Sequence, residues 1–339
     1  MNNEENDIER QELARRVGKN GDRILMEYFD DIGLANKTNN EINDLINRLR
    51  ICGVDIKKVF SECGRDSTLK TRVDRNQAIA IVFGFFRKFG IDVSKLLEEG
   101  KYNNERKQAV YLSFNKGVKR NETTSPTFAG EDVHAYAKET GTLTDVYSLV
   151  HEISHTLYVQ NQFGEARMIL GEVIPQCMER MFDGYLIELA ERKEVYMNVE
   201  CLKKDIIKRK ISTAIDRFRM TRKIAKGEYK FASDKAELSR YMLAQIYATQ
   251  LMEIDKSVRK QRIFDFMEAL KSNDIQKANN AFNMQIGKEN AKERDKYIIN
   301  SIWNLQKDIL TFQENEVLKE QTDRATRAIS KEDEKEPEM

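Results

Sequence analysis

Proline occurs only three times in 339 residues, so the chain almost lacks the residue that interrupts helices and central strands. Apolar residues recur at three- and four-residue spacing over long stretches, and a third of the chain (33%) is charged. That is the pattern of helices with one buried and one wet face. A mainly α protein is predicted, with helices near 4–17, 20–35, 40–51, 75–89, 143–161, 172–195, 198–226, 234–254, 258–271 and 289–318. The length suffices to bury a core without a disulfide or metal staple.

One stretch departs from the helical period. Between Lys107 and Lys119, Ala109, Tyr111 and Ser113 alternate with Val110, Leu112 and Phe114 before Asn115 and Gly117, which predicts a strand ending in a turn and a small sheet before the main motif. Residues 121–142, with Thr123, Thr124, Ser125, Pro126, Gly130 and Gly141, form the expected loop. Residues 1–100 read as a helical N-terminal region in which Ala78 to Phe89, apolar on several sides, suits a buried helix. Residues 101–318 hold the motif, and 319–339, highly charged and without aromatics, read as a disordered tail.

Cys52, Cys63, Cys177 and Cys201 are widely separated and form no CxxC pair, so reduced core residues are expected rather than a disulfide framework. Lysine plus arginine (57) and aspartate plus glutamate (56) nearly cancel, which argues against a nucleic-acid partner. The basic run Lys203 to Lys210, with Ile206, Ile207 and Ile211 interleaved, reads as a solvated helix face. Met1 to Gln11 is polar and charged, and no stretch approaches a membrane span; a soluble cytoplasmic protein is expected.

The informative stretch is Tyr147-Ser148-Leu149-Val150-His151-Glu152-Ile153-Ser154-His155. Positions four apart stack on one helix face, so His151 and His155 can turn their imidazoles toward one ion, with Glu152 one step round. Two of only three histidines fall in this pattern. Zinc takes neutral imidazoles and keeps a position for water in catalytic sites. A third ligand is needed, and no histidine follows His155, so a carboxylate is expected. Glu172 is the leading candidate: Pro175 fits a first helical turn, which puts Glu172 at the start of the next helix. Glu165 is nearer but in a predicted turn, and Glu179, two turns beyond Glu172, suits a partner that orients a histidine. An ordinary first-turn carboxylate is the plain alternative for Glu172. His134 either touches substrate or is a surface or capping histidine.

These residues resemble the thimet oligopeptidase and oligopeptidase F family of zinc peptidases. Asp145 to His155 looks like its metal helix, and Glu172 to Glu179, with Gln176 and Glu179 in place, looks like its second block. Ala109 to Asn115 sits where that family places an edge strand beside the cleft, and Arg240 to Ala248 is similar to its tyrosine-rich helix. The resemblance spans roughly residues 105–255. Ser154 replaces the family's glycine, Pro175 is shifted, the chain is shorter, and the family's histidine near the tyrosines is absent.

The resemblance implies a mainly α, gluzincin-type peptidase fold with a small sheet beside the metal helix. It implies one Zn2+ on His151, His155 and Glu172, a peptide substrate, and an oxyanion role carried to Tyr241, with Tyr229 and Tyr247 as alternatives and core packing as the plain reading of all three. In such an enzyme Glu152 takes the proton of the zinc-bound water and passes it to the leaving amine. Two other readings fit the sequence: a gluzincin that cuts one phage-type repressor, and a non-catalytic helical interaction protein with a structural zinc.

Overall fold

The computed structural model describes residues 23–24, 28, 31–63, 69–93, 102–103, 108–115, 123–126, 132–158, 165–229 and 232–333. It is mainly helical. The helices are α1 (Asp31–Ile51), α2 (Ile56–Cys63), α3 (Arg75–Lys88), α4 (Leu143–Thr156), α5 (Glu165–Leu170), α6 (Val173–Glu191), α7 (Val199–Ala225), α8 (Ala232–Glu253), α9 (Arg259–Lys271), α10 (Ile275–Ala281) and α11 (Ala291–Asp333). No helix among the described residues is long and apolar enough to cross a membrane. The helix expected over 4–17 lies outside the described residues.

Boundaries follow local chemistry. Asp74 caps α3 by accepting from the Gln77 amide at 2.9 Å, and Asn198 caps α7 by accepting from Cys201 at 2.9 Å. The helix expected over 289–318 runs further, to Asp333; the residues beyond 318 are rich in glutamate, lysine, arginine and alanine, all strong helix formers. The segments expected over 20–35 and 40–51 meet in one helix, α1.

Four short strands, Tyr102–Asn103, Gln108–Asn115, Thr123–Pro126 and Asp132–Lys138 (β1 to β4), pair in the order β1-β2-β4-β3, with β2 and β4 parallel. One expectation is corrected here: the stretch 121–142 is not a plain loop, because β3 and β4 lie within it. β1 pairs with β2 only at Gln108 and Ala109, so among the described residues Val110–Asn115 has a strand neighbour on the β4 side alone. His134 lies in β4, in register with Tyr111 and Ser125. The sheet packs on α4 through β4 and β3.

The core is continuous from α1 to α11. α4 is packed between β4, α3 and α6, and α6 in turn lies against α7 and α8. Phe85 of α3 meets Phe182 of α6 edge to face at a centroid distance of 5.1 Å, and Phe182 meets Tyr147 of α4 at 5.4 Å. Such contacts fix three helices against one another. Cys63 and Cys177 are buried, as expected of core thiols, whereas Cys52 is exposed in the turn that follows α1; no disulfide joins any of the four.

Candidate metal centre

The helix that carries the two histidines is anchored at its first turn. Gly141 adopts φ +75°, a conformation open to glycine at little cost. Thr142 caps α4, and the buried Asp145 carboxylate accepts from the amides of Thr140 and Gly141 at 2.9 and 2.7 Å. The backbone of Thr71 and Val73 braces the same turn from the side, through Leu143 N to Thr71 O at 3.0 Å and Val73 N to Gly141 O at 3.3 Å.

From this fixed start, Tyr147, His151 and His155 fall on one face of α4 at four-residue steps. The imidazole Nε2 atoms of His151 and His155 lie 3.2 Å apart. Glu172, at the N-terminal boundary of α6, brings Oε2 to 3.4 Å from His151 Nε2 and 3.8 Å from His155 Nε2. That oxygen is buried and has no hydrogen-bond partner. Glu165, the alternative ligand, is exposed at the start of α5. His151, His155 and Glu172 form the metal-capable cluster among the described residues.

Donor spacing fits a small divalent ion. A triangle with edges of 3.2, 3.4 and 3.8 Å has all three corners at about 2.0 Å from a common centre, the length of a zinc bond to imidazole nitrogen or carboxylate oxygen. The second nitrogen of each ring is engaged. His151 Nδ1 is 2.8 Å from Glu179 Oε1, and His155 Nδ1 is 2.8 Å from the Tyr158 hydroxyl. With Nδ1 donating in both cases, each Nε2 presents its lone pair to the centre of the triangle.

Both partners are held in turn. Arg209 of α7 donates to Glu179 Oε2 at 2.6 Å and lies over the Tyr147 ring, 3.6 Å from its centroid. Tyr147 donates to Asp183 Oδ1 at 2.6 Å, and Lys210 pairs with Asp183 Oδ2 at 3.3 Å. On the other side Tyr158 donates to the carbonyl of Gly171, the residue before Glu172, so one hydroxyl links the second histidine to the backbone of the third ligand. The expectation that Lys203 to Lys210 is a solvated face is therefore corrected: Lys208 is buried, and Arg209 and Lys210 are drawn inward by Glu179 and Asp183.

The electrostatics favour a cation. Burial opposes charge on His151, but the Glu172 and Glu179 carboxylates at its two nitrogens outweigh it and raise its pKa well above the ordinary imidazole range. Burial holds His155 down at about 4. Glu172 and Glu179 are both held at about 2: burial alone would raise them, but His155 and His151 beside Glu172, and Arg209 and His151 beside Glu179, prevail. A divalent ion among the donors would be favoured by the same carboxylates and would displace the proton.

Glu152 is 5% exposed on the turn that carries His151. The ring of Tyr241 lies beneath Arg217, 4.0 Å from the guanidinium carbon. Tyr247 is fully buried in a cluster with Phe266 and Phe282, its hydroxyl donating to Asn279, which gives it the core role of the plain reading. Tyr229 is 36% exposed. Tyr158 and Arg209 were not marked by sequence reasoning. Tyr158 has a local signal, lying three residues after His155 on the same face, whereas the contact of Arg209 spans 30 residues and two helices and has none.

No protein-family model matches the chain, and no curated protein matches it. Among solved structures it is similar to one described as "putative peptidase from Chlamydophila abortus", at 15% identity and a TM-score of 0.45 over 87% of this chain and 56% of that one. It is also similar to the structure named BsuCP, at 12% identity and a TM-score of 0.42 over 80% of this chain and 66% of that one. The chain thus spans about half to two thirds of the length of these structures. At these scores the likeness carries no argument about activity, which rests on the site itself.

Proposed function

We propose that this protein is a zinc-dependent metallopeptidase that hydrolyses peptide bonds, with His151, His155 and Glu172 as the zinc ligands and Glu152 as general base. The observation that carries the reading is the convergence of His151 Nε2, His155 Nε2 and Glu172 Oε2 within 3.2–3.8 Å of one another, while both Nδ1 atoms are engaged elsewhere. A zinc ion bound there supplies Lewis-acid activation of a water and of the scissile carbonyl.

The chain's own residues do the rest. Glu152, beside the first imidazole and largely shielded from solvent, takes a proton from the attacking water and hands it to the departing amine. Glu179 and Tyr158 hold the two imidazoles in the tautomer that leaves Nε2 free. Tyr241 is assigned to the developing oxyanion, a contribution worth about 3 kcal/mol in comparable sites. A retained Glu152 separates this reading from a purely structural zinc, which has no use for a carboxylate that binds no metal.

Native mass spectrometry of the purified chain tests the ligand set. One zinc per chain is expected, with loss of the ion in His151→Ala, His155→Ala and Glu172→Ala and retention in Glu165→Ala. Retention of zinc by the three ligand variants would overturn the assignment.

A further inference from the structure

Two carboxylates, Glu179 and Asp183, lie buried one turn apart on α6, 8% and 6% exposed. They meet α4 in antiparallel register. Glu179 faces His151 and Asp183 faces Tyr147, so a step of four residues forward on one helix is a step of four back on the other. α7 answers both with adjacent cations, Arg209 at 2.6 Å from Glu179 Oε2 and Lys210 at 3.3 Å from Asp183 Oδ2.

Tyr147 ties the two pairs together. Its hydroxyl donates to Asp183 Oδ1 at 2.6 Å, and its ring carries the Arg209 guanidinium, 3.6 Å from the centroid. Arg209 therefore lies near both carboxylates, and the Asp183 charge attracts it as well. A buried carboxylate that lacks a partner is costly, so a shared guanidinium goes to the anion with the emptier oxygen. Tyr147 and Lys210 occupy both oxygens of Asp183, which leaves the fork of Arg209 to Glu179. Gripped at Oε2 by Arg209, the Glu179 carboxylate presents Oε1 to the imidazole at 2.8 Å. Without the Tyr147 hydroxyl, Asp183 Oδ1 has lost its donor and competes for Arg209, one ring away.

We propose that Tyr147 is a positioning residue of the metal centre: by occupying Asp183 it keeps Arg209 on Glu179, and so keeps Glu179 aimed at Nδ1 of His151. This rests on the metal reading above and extends it to a residue that is not itself a ligand.

Competition against a chromophoric chelator, with the full chain, reads the zinc affinity. Tyr147→Phe keeps the ring and removes the hydroxyl, and affinity is expected to fall about tenfold. Lys210→Gln frees the other oxygen of Asp183 and is expected to act in the same direction. Asp183→Asn still offers an oxygen to Tyr147 but no charge to Arg209. The double variant Tyr147→Phe/Asp183→Asn is therefore expected to return to within about threefold of the wild type, a non-additive rescue. A merely structural role for Tyr147 predicts no rescue, since two contacts of one network are then broken instead of one. Circular dichroism reports folding, and should Tyr147→Phe fail to fold, Lys210→Gln and Lys210→Gln/Asp183→Asn carry the same comparison. Unchanged affinity in the single variant, or a double variant no better than the single, overturns the proposal alone. A wild type that binds no zinc overturns the metal reading and this proposal with it.

Discussion

Replacing Glu179 with glutamine removes one negative charge and almost no volume, at a position where Oε1 takes the His151 proton at 2.8 Å and Oε2 takes Arg209 at 2.6 Å. On the metal side, a charge-assisted hydrogen bond becomes a neutral one, a loss of about 1–1.5 kcal/mol. His151 then becomes a weaker and less oriented ligand, so zinc affinity is expected to fall roughly 10- to 100-fold. On the stability side Arg209 loses its anion while partly buried. Breaking such a pair costs about 3 kcal/mol or more, and the Tyr147 ring at 3.6 Å recovers a part of that, about 1 kcal/mol. Competition against a chromophoric chelator reads the affinity, and urea unfolding of zinc-free protein reads the stability. A drop in stability with zinc affinity unchanged within about threefold would refute the reasoning, because Glu179 would then serve Arg209 alone.

Tyr158→Phe removes the hydroxyl that joins His155 to the Gly171 carbonyl; zinc affinity should fall about tenfold and stability by about 1–3 kcal/mol, read by the same two assays. In Gly171→Ala the new methyl would lie 2.6 Å from the Arg167 carbonyl oxygen, a backbone atom that cannot swing aside; the end of α5 must shift and carry Glu172 with it, so weaker zinc binding by about tenfold is expected, and unchanged affinity would show that the ligand tolerates the shift. For acid stability the sign follows from the depressed carboxyls. Glu172 and Glu179 titrate at about 2 in the folded chain against an ordinary value of 4.5, so their stabilisation is fully present above about pH 4.5 and is lost as pH falls toward about 2. The urea midpoint of zinc-free protein should therefore drop across that window, and less so in Glu179→Gln.

Much of the centre was legible because it is local. A four-residue step on a helix dictates that His151 and His155 face one point, and Pro175 in a first turn placed Glu172 and, two turns on, Glu179. What long-range packing decides was not legible. Arg209 is an ordinary charged residue in a helical stretch until α7 is set against α6. The two tyrosines six residues apart on α8 look alike in sequence, yet Tyr241 lies under Arg217 while Tyr247 is bonded to Asn279 in the core. Strands β3 and β4 were missed because Thr123–Pro126 is polar and ends in proline, and a short strand held by its neighbours needs little propensity of its own.

The most direct measurement compares the wild type with Glu152→Gln in zinc content and in hydrolysis of a mixed pool of quenched peptides. The account predicts one zinc per chain in both, cleavage by the wild type, and a loss of at least about a hundredfold in rate in the variant. Zinc in both proteins with equal cleavage, or with none in either, contradicts the assignment of Glu152 as the base of a peptidase.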